Sequence, residues 1–150
     1  MSEAIKKSQS NRDIAPYDLD NQIGYLLRLA SQRHAALFQM RSPDGITPTQ
    51  FSALIRISEN EGCSQNHLGR LAGLDVATIK GVVDRLRHKD LAVIRADPND
   101  KRRSLISLTP KGAALIAELH RAGHDITERT LTPLNTSERR ALLNALRKIS

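Results

Sequence analysis

Apolar and polar positions follow two different periods along this chain. Over most of its length, apolar residues recur every three or four positions, as on one face of an α-helix. Between positions 91 and 108 the pattern changes to two short alternating runs around a charged turn, which predicts two antiparallel strands. The predicted fold is therefore mainly α with a small β-hairpin, in the order of four helices, the hairpin and two more helices.

The first long apolar stripe predicts a helix that begins after a polar extension. Residues 1–15 show no periodicity and are expected to be flexible. Asp44 and Gly45 end the first helix, and Thr47 is the predicted N-cap of the second, with Pro48 in its first turn. The buried stripe of the first helix is predicted to consist of Ile23, Leu26, Leu27, Ala30, His34, Leu37 and Phe38.

A short helix over 65–72, a turn over 73–75 and a longer helix over 76–89 follow, which is the order of a helix-turn-helix. Ser64 and Asp75 are the predicted N-caps, and Gly73 suits the bend between the helices. The predicted buried stripe of the longer helix consists of Val76, Ile79, Val83 and Leu86.

The predicted strands, 91–95 and 105–108, are joined by a turn that begins with Asp97, Pro98, Asn99 and Asp100, all turn formers. Beyond them the tip of the hairpin carries three consecutive cations into solvent. A basic hairpin beside a helix-turn-helix predicts a winged helix. The cations are Lys101, Arg102 and Arg103.

The terminal helices carry more apolar surface than a small winged helix can cover. Pro110 begins the fifth helix, and Thr136 or Ser137 is the predicted cap of the sixth. Long apolar stripes of this kind usually pack against a second copy. We therefore predict one domain over 16–150, with a winged helix-turn-helix at 47–109 and homodimerisation helices at 16–41 and 110–150.

The charge of the chain narrows its partners. The net charge is +7, and residues 64–112 alone hold ten Lys and Arg against five Asp and Glu. The overall basic charge favours a polyanionic partner, nucleic acid first and an acidic membrane surface second, and its concentration here argues against an inert basic surface. Aromatic residues make up only 3% of the chain, which disfavours a single-strand binder that stacks bases. One cysteine and no apolar run of membrane-spanning length predict a cytoplasmic protein without membrane contact.

One face of the longer helix is suited to the major groove. Ala77 and Gly81 are small enough to allow close approach, and Thr78 and Lys80 can reach base edges or phosphates. Asp100 is expected to brace an arginine or cap the turn of the wing. The residues predicted to contact DNA are Gln65, Asn66, Ala77, Thr78, Lys80, Gly81, Arg85, Arg87, Lys101, Arg102 and Arg103.

The stretches 64–75, 78–86, 97–103 and 108–112 resemble the MarR family of bacterial transcription regulators. Asp90 departs from the family pattern, which usually has Gly after the recognition helix. The resemblance implies a dimeric repressor on a palindromic operator, released by a small aromatic carboxylate or phenol. A narrower similarity, over 23–34 and 47–51, is to members that control breakdown of hydroxycinnamates or nicotinate.

An effector site is predicted on the first helix and the start of the second. A histidine on an apolar stripe needs a polar partner, which is either a ligand or a group of the core. An arginine beside an apolar slot suits an aromatic acid, and a tyrosine or phenylalanine can wall its ring. The candidates are Tyr25, Arg28, Gln32, Arg33, His34 and Phe51, whose alternative role is packing in the core.

Three further residues suggest other chemistry. Cys63 precedes a helix start, so a redox- or stress-responsive regulator of the same fold is an alternative, although the resembled peroxide sensors carry their cysteine in the first helix. His120 and His124 are four apart, but nothing completes a zinc site, and a solvated pair is expected. No nucleophile with its base and no phosphate loop is found, so neither catalysis nor a cofactor is expected. A winged helix used only for protein contacts is the remaining alternative.

Overall fold

The computed structural model describes residues 15–150, so the predicted flexible extension lies outside the described residues except for its last position. Within that part the chain forms helices and a small antiparallel sheet, as predicted. The strands are β1 (Cys63–Ser64), β2 (Ala92–Ala96) and β3 (Ser104–Leu108). The helices are α1 (Ile23–Arg41), α2 (Pro48–Glu59), α3 (Gln65–Ala72), α4 (Val76–His88), α5 (Pro110–Leu131) and α6 (Thr136–Ile149).

The chain divides into two compact units, Met1–Arg33 and His34–Ser150. In the first unit, a 3₁₀ turn at Leu19–Asn21 leads into α1. The stripe predicted to be buried is exposed here in the single chain, and Ile23 keeps 63% of its surface. The prediction of burial is therefore wrong for Ile23, Leu26, Leu27 and Ala30 in the single chain, whereas Phe38, which lies in the second unit, is buried as predicted. An apolar stripe indicates a face that packs, but not whether the same chain covers it. The domain boundaries themselves stay a prediction.

The core of the second unit is built from α2, α3, α4, the first turns of α5 and the sheet. These elements bury their apolar residues at helical or alternating spacing, which is the pattern that predicted them. The largest fully buried side chains are Leu54, Ile57, Leu68, Ile79, Val82, Val83, Leu86, Ile106 and Leu119.

The buried face of α4 differs from the prediction at two positions. Val82 is buried with Ile79, Val83 and Leu86, whereas Val76 remains 67% exposed. Val76 is the first residue of the helix, immediately after the Asp75 cap, and the stripe runs beyond the core at that end. The recognition helix therefore begins with an exposed apolar side chain.

The sheet has the order β1–β3–β2, with both pairs antiparallel. In the hairpin, Ile94 lies opposite Ile106, and the strands agree with the predicted ones to within one residue. Cys63 also lies opposite Ile106, on the other side of β3. The strand β1 was not predicted, because two residues are too short to show an alternating pattern.

Side-chain caps define most helix starts. The predicted caps Thr47, Ser64 and Asp75 each accept a hydrogen bond from a backbone N–H of the first turn of their helix. The prediction for α6 is wrong, since Asn135 caps it and pairs with Glu138 in a capping box. Thr136 is instead the first residue of that helix.

The start of α5 is fixed to the end of α4. The Thr109 N–H donates to the Leu91 carbonyl at 3.1 Å, and its hydroxyl donates to the Asp90 carbonyl at 2.6 Å. An added Cβ at Gly112 would overlap the Leu91 carbonyl oxygen. Only glycine therefore allows α5 to begin this close to the chain that leaves α4.

The connection after α4 passes through a left-handed residue. The N–H of Leu91 donates to the Leu86 carbonyl at 2.9 Å, and that of Asp90 donates to the Arg87 carbonyl at 3.0 Å. This pattern is a Schellman ending, in which the residue after the C-cap has positive φ. Asp90 occupies that position with φ +59°.

Candidate nucleic-acid interface and effector pocket

The helix-turn-helix is held by a tight glycine turn. Gly73 ends α3 with φ +68°, and the N–H of Leu74 donates back to the Gly69 carbonyl at 2.8 Å. Asp75 then caps α4, accepting from the Thr78 N–H at 2.7 Å. The hydrogen bonds from the Thr78 backbone and side chain lower the pKa of the Asp75 carboxyl. The cap is therefore an ionised carboxylate at neutral pH.

The exposed face of α4 has a shallow centre with cations around it. Ala77, Thr78 and Lys80 are exposed, while Gly81 is half-buried. A Cβ at Gly81 would lie 3.7 Å from the Arg85 guanidinium, so this side chain lies back across the glycine. Arg85 was predicted to meet the DNA backbone further along the helix, but its guanidinium lies beside the middle of the face.

Asp84 lies among these cations and was not among the predicted site residues. Its carboxylate is 3.3 Å from Lys80 Nζ and 3.9 Å from an Arg87 guanidinium nitrogen. All three side chains are about half exposed or more, so these ion pairs are weak. Asp84 therefore lies between two of the predicted DNA contacts, where sequence reasoning had placed only cations.

The wing is a tight turn stabilised by its own acidic residues. The Asp97 N–H donates to the Arg103 carbonyl at 2.9 Å, and the Arg103 N–H donates to the Asp100 carbonyl at 2.9 Å. Asp100 Oδ1 accepts from the Arg102 backbone N–H at 3.0 Å and from its Nε at 3.3 Å. The Arg102 side chain is 93% exposed at the tip. The turn thus presents one oriented arginine to solvent.

A groove of about 420 Å³ separates the start of α3 from the base of the wing. It brings together Gln65, Asn66 and Arg103, three of the predicted contacts, with Ser64 and Ser104 beside them. Amide and guanidinium donors near a helix start are suited to a phosphate oxygen. These predicted residues therefore share one surface, although contact with DNA stays a prediction.

A second cleft, of about 520 Å³, lies inside the second unit between the end of α1, the start of α2 and the middle of α5. The rings of Phe38 and Phe51 pack edge to face, with 5.6 Å between their centres, and form the aromatic wall of the cleft. Along α5 it is lined by His120, Gly123, His124, Ile126 and Thr127. From α1 and α2 it is lined by His34, Phe38, Pro48, Phe51, Ser52 and Ile55.

A glycine of α5 makes room for the aromatic wall. A Cβ at Gly123 would lie 2.9 Å from Phe51 Cζ, closer than carbon atoms approach without displacement. Gly123 was not predicted, because a single glycine within a helical pattern gives no sign of what packs on it. Gly123 also lies more than seventy positions after Phe51 in the sequence, so the sequence alone does not show that the two residues are in contact.

His34 has a polar partner on α5. Its Nδ1 lies 2.9 Å from the Thr130 hydroxyl, which itself donates to the Ile126 carbonyl at 2.8 Å. The histidine predicted to need a polar partner on the apolar stripe therefore has one within the protein.

The remaining predicted effector residues are distributed over the first unit. Tyr25, Arg28, Gln32 and Arg33 all lie there on α1, and the Arg28 guanidinium stacks 5.4 Å from the centre of the Tyr25 ring. Of the six candidates, only His34 and Phe51 are among the residues that line the cleft in the second unit. The role of the other four stays a prediction.

The position of Cys63 weakens the redox-responsive alternative. Cys63 is buried in β1, and burial raises the pKa of its thiol, so the reactive thiolate is disfavoured. Among residues 15–150, no three His, Cys, Asp or Glu side chains are arranged to hold a metal ion. In the same part of the chain, every helix is too short or too polar to cross a bilayer.

Comparison with known proteins gives consistent matches. The model of the MarR family matches residues 44–103. The repressor NicR of Pseudomonas putida is 38% identical over 99% of this chain and 95% of its own. A probable transcriptional regulator from Pseudomonas aeruginosa is 47% identical with a TM-score of 0.85, covering 89% of this chain and 100% of its own.

Two further structures carry information on ligands. BpsR of Bordetella bronchiseptica, whose DNA binding is described as regulated by 6-hydroxynicotinic acid, is 39% identical with a TM-score of 0.85 over 90% of this chain and 97% of its own. A MarR variant from E. coli complexed with operator DNA is 30% identical with a TM-score of 0.78, and the match covers 89% of this chain and 99% of its own.

Proposed function

This chain belongs to the MarR family of DNA-binding transcription regulators, and from that premise we propose that it represses a catabolic operon for a small aromatic acid. As a dimer it occupies a palindromic operator, and the acid releases it. The observations that carry the proposal are two exposed features of the second unit: α4 presents a face of small residues and cations, and the wing presents Arg102 with 93% of its side chain exposed. Such a regulator acts on DNA in the cytoplasm.

We assign the DNA contacts by position on this surface. The slim face around Ala77 and Gly81 enters the major groove, where Thr78 and Lys80 reach base edges. Arg102 enters the adjacent minor groove, whose negative potential favours a guanidinium. The contacts to phosphate come from Gln65, Asn66, Arg85, Arg87, Lys101 and Arg103.

The effector is assigned to the cleft of the second unit. Its volume and aromatic wall suit one small ring. NicR and BpsR, similar to this chain along nearly all their length, support a nicotinate-type acid in particular. Because helices α1, α2 and α5 all line the cleft, a bound acid biases the spacing of the two recognition helices in a dimer.

The DNA-binding part is tested by Arg102→Ala. We expect weaker operator binding with an unchanged dimer, and a shallower dependence of affinity on salt, because fewer phosphate counterions are released. Arg140→Ala, which removes the same charge from α6, is the matched control, and light scattering must show that it remains a dimer because α6 is a predicted dimerisation helix. Equal operator affinity of the two variants in a gel shift contradicts the role of the wing.

The effector part is tested with a panel of aromatic acids. Compounds that raise the melting temperature of the protein are added to the protein–operator complex, and release of DNA is followed by fluorescence anisotropy. A member of the panel should do both. An acid that binds tightly but leaves operator affinity unchanged removes the proposed mechanism.

A further inference from the structure

The cleft assigned to the effector contains an unusual set of ionisable groups. Three histidines line it, His34 from α1 and both His120 and His124 from α5. The lining residues of α2 carry no ionisable side chain, and no lysine, arginine, aspartate or glutamate lines the cleft within the second unit. Any positive charge that this lining itself provides must therefore come from an imidazole.

Two acidic residues that neighbour the histidines on α5 are paired with arginines. Asp125 lies 3.0 Å from Arg41 and 3.0 Å from Arg129. Glu128, one turn after His124, accepts two hydrogen bonds from Arg139 at 2.9 Å. Arg121, one turn before His124, is exposed and does not line the cleft.

A carboxylate that enters this cleft loses water against Phe38, Phe51 and Ile55. The loss is tolerated only where a cation or strong donors replace the water. Imidazole is also the side chain that commonly accepts a proton when an anion binds beside it, and three imidazoles line this cleft. His34 Nδ1 is already in hydrogen-bond contact with the Thr130 hydroxyl, at 2.9 Å.

We propose that effector binding is linked to proton uptake by the histidines of the cleft, so that an aromatic carboxylate releases the operator more effectively at mildly acidic than at mildly alkaline pH. The proposal rests on the proposed function and adds how the same site is regulated. In the limit of one proton per carboxylate, the dissociation constant rises about tenfold for each pH unit above neutrality.

The test uses 6-hydroxynicotinate and its neutral carboxamide as paired probes. Dissociation constants are measured by calorimetry at pH 6, 7 and 8, in two buffers of different ionisation enthalpy that report protons taken up. We expect the carboxylate to bind about tenfold more weakly at pH 8 than at pH 7, with net proton uptake. The carboxamide should show neither effect.

Variants locate the proton. His120→Gln and His124→Gln, alone and together, should flatten the pH dependence for the carboxylate. His67→Gln, which removes an exposed imidazole of α3 outside the cleft, should leave that dependence unchanged. Arg28→Gln and Arg33→Gln test the rival interpretation, in which an arginine of the first unit receives the carboxylate.

The outcomes separate this inference from the proposed function. A carboxylate that releases the operator with the same dissociation constant at pH 6 and pH 8 overturns proton linkage and leaves the regulator intact. Loss of that pH-independent binding in an arginine variant would assign the carboxylate to α1. If neither probe binds at any pH, both the nicotinate-type effector and the proton linkage fall.

Discussion

Asp90 is where the chain departs from the usual family pattern, and its backbone shows the consequence. It ends α4 with φ +59°, a conformation that glycine adopts without strain and that other residues adopt at a cost. Aspartate tolerates it better than most, which explains how the departure is accepted. The resemblance located the position, but only the structure shows the left-handed geometry.

We predict that Asp90→Gly stabilises the protein by about 0.5–1 kcal/mol, because relief of strain exceeds the added freedom of the unfolded chain. Urea denaturation measures the difference. Asp90→Ala is the control and should be less stable than the glycine variant, since alanine keeps the strain. Equal stability of the two variants contradicts the argument.

Asp75 provides a prediction on pH. Its folded pKa is lowered by the Thr78 hydrogen bonds, so its contribution to stability is complete above the unfolded value of about 3.9 and is lost as pH falls through the folded value. Asp75→Asn keeps an N-cap oxygen but cannot ionise. The stability advantage of the wild type over Asp75→Asn in urea denaturation should therefore shrink from pH 6 to pH 3. If the difference in stability between the two proteins is the same at pH 6 and pH 3, the lowered pKa of Asp75 does not contribute to stability.

At the scale of elements, the periodic patterns predicted the helices and the hairpin because each buries one regular face. The exceptions have physical reasons. β1 is too short for a pattern, and Val76 lies at a helix end where the stripe leaves the core. The cleft could be predicted only in part, since His34, Phe51 and Gly123 lie on three helices that are far apart in sequence.

The joint between α4 and α5 yields a prediction at this scale. Gly112→Ala should destabilise the protein by about 1–3 kcal/mol, because the new Cβ must displace the Leu91 carbonyl. Gly81→Ala is the matched control, since its Cβ meets only the flexible Arg85 side chain at 3.7 Å. Thermal unfolding compares the two variants. Similar melting temperatures would contradict the close contact between Gly112 and the Leu91 carbonyl.

At the scale of the whole molecule, apolar residues remain uncovered on both terminal helices. On α6, Leu142 and Leu143 are exposed, and Ile149 keeps 65% of its surface. On α1, Ile23 and Leu26 are exposed as well. Surfaces of this kind are typical of an interface between copies, and the sequence pattern predicted them as apolar stripes without showing what covers them.

We predict a dimer whose operator half-sites lie one helical turn apart, about 34 Å between centres. Light scattering measures the mass, and a hydroxyl-radical footprint measures the spacing. Leu143→Asp should shift the mass towards the monomer and weaken operator binding, because one half-site then loses its partner. A monomeric wild type, or protection confined to a single half-turn, is incompatible with this arrangement.

The two hydrogen bonds that Thr109 makes to the carbonyls after α4 fix one end of α5, so this helix can move only about that end. They hold the start of α5 in place, and His120 lies about 16.5 Å further along this helix, at 1.5 Å per residue. We therefore expect that a compound bound beside this helix need not contact DNA to act on it. If it tilts α5 about the fixed start, the two halves of a dimer change their separation and no longer match successive major grooves.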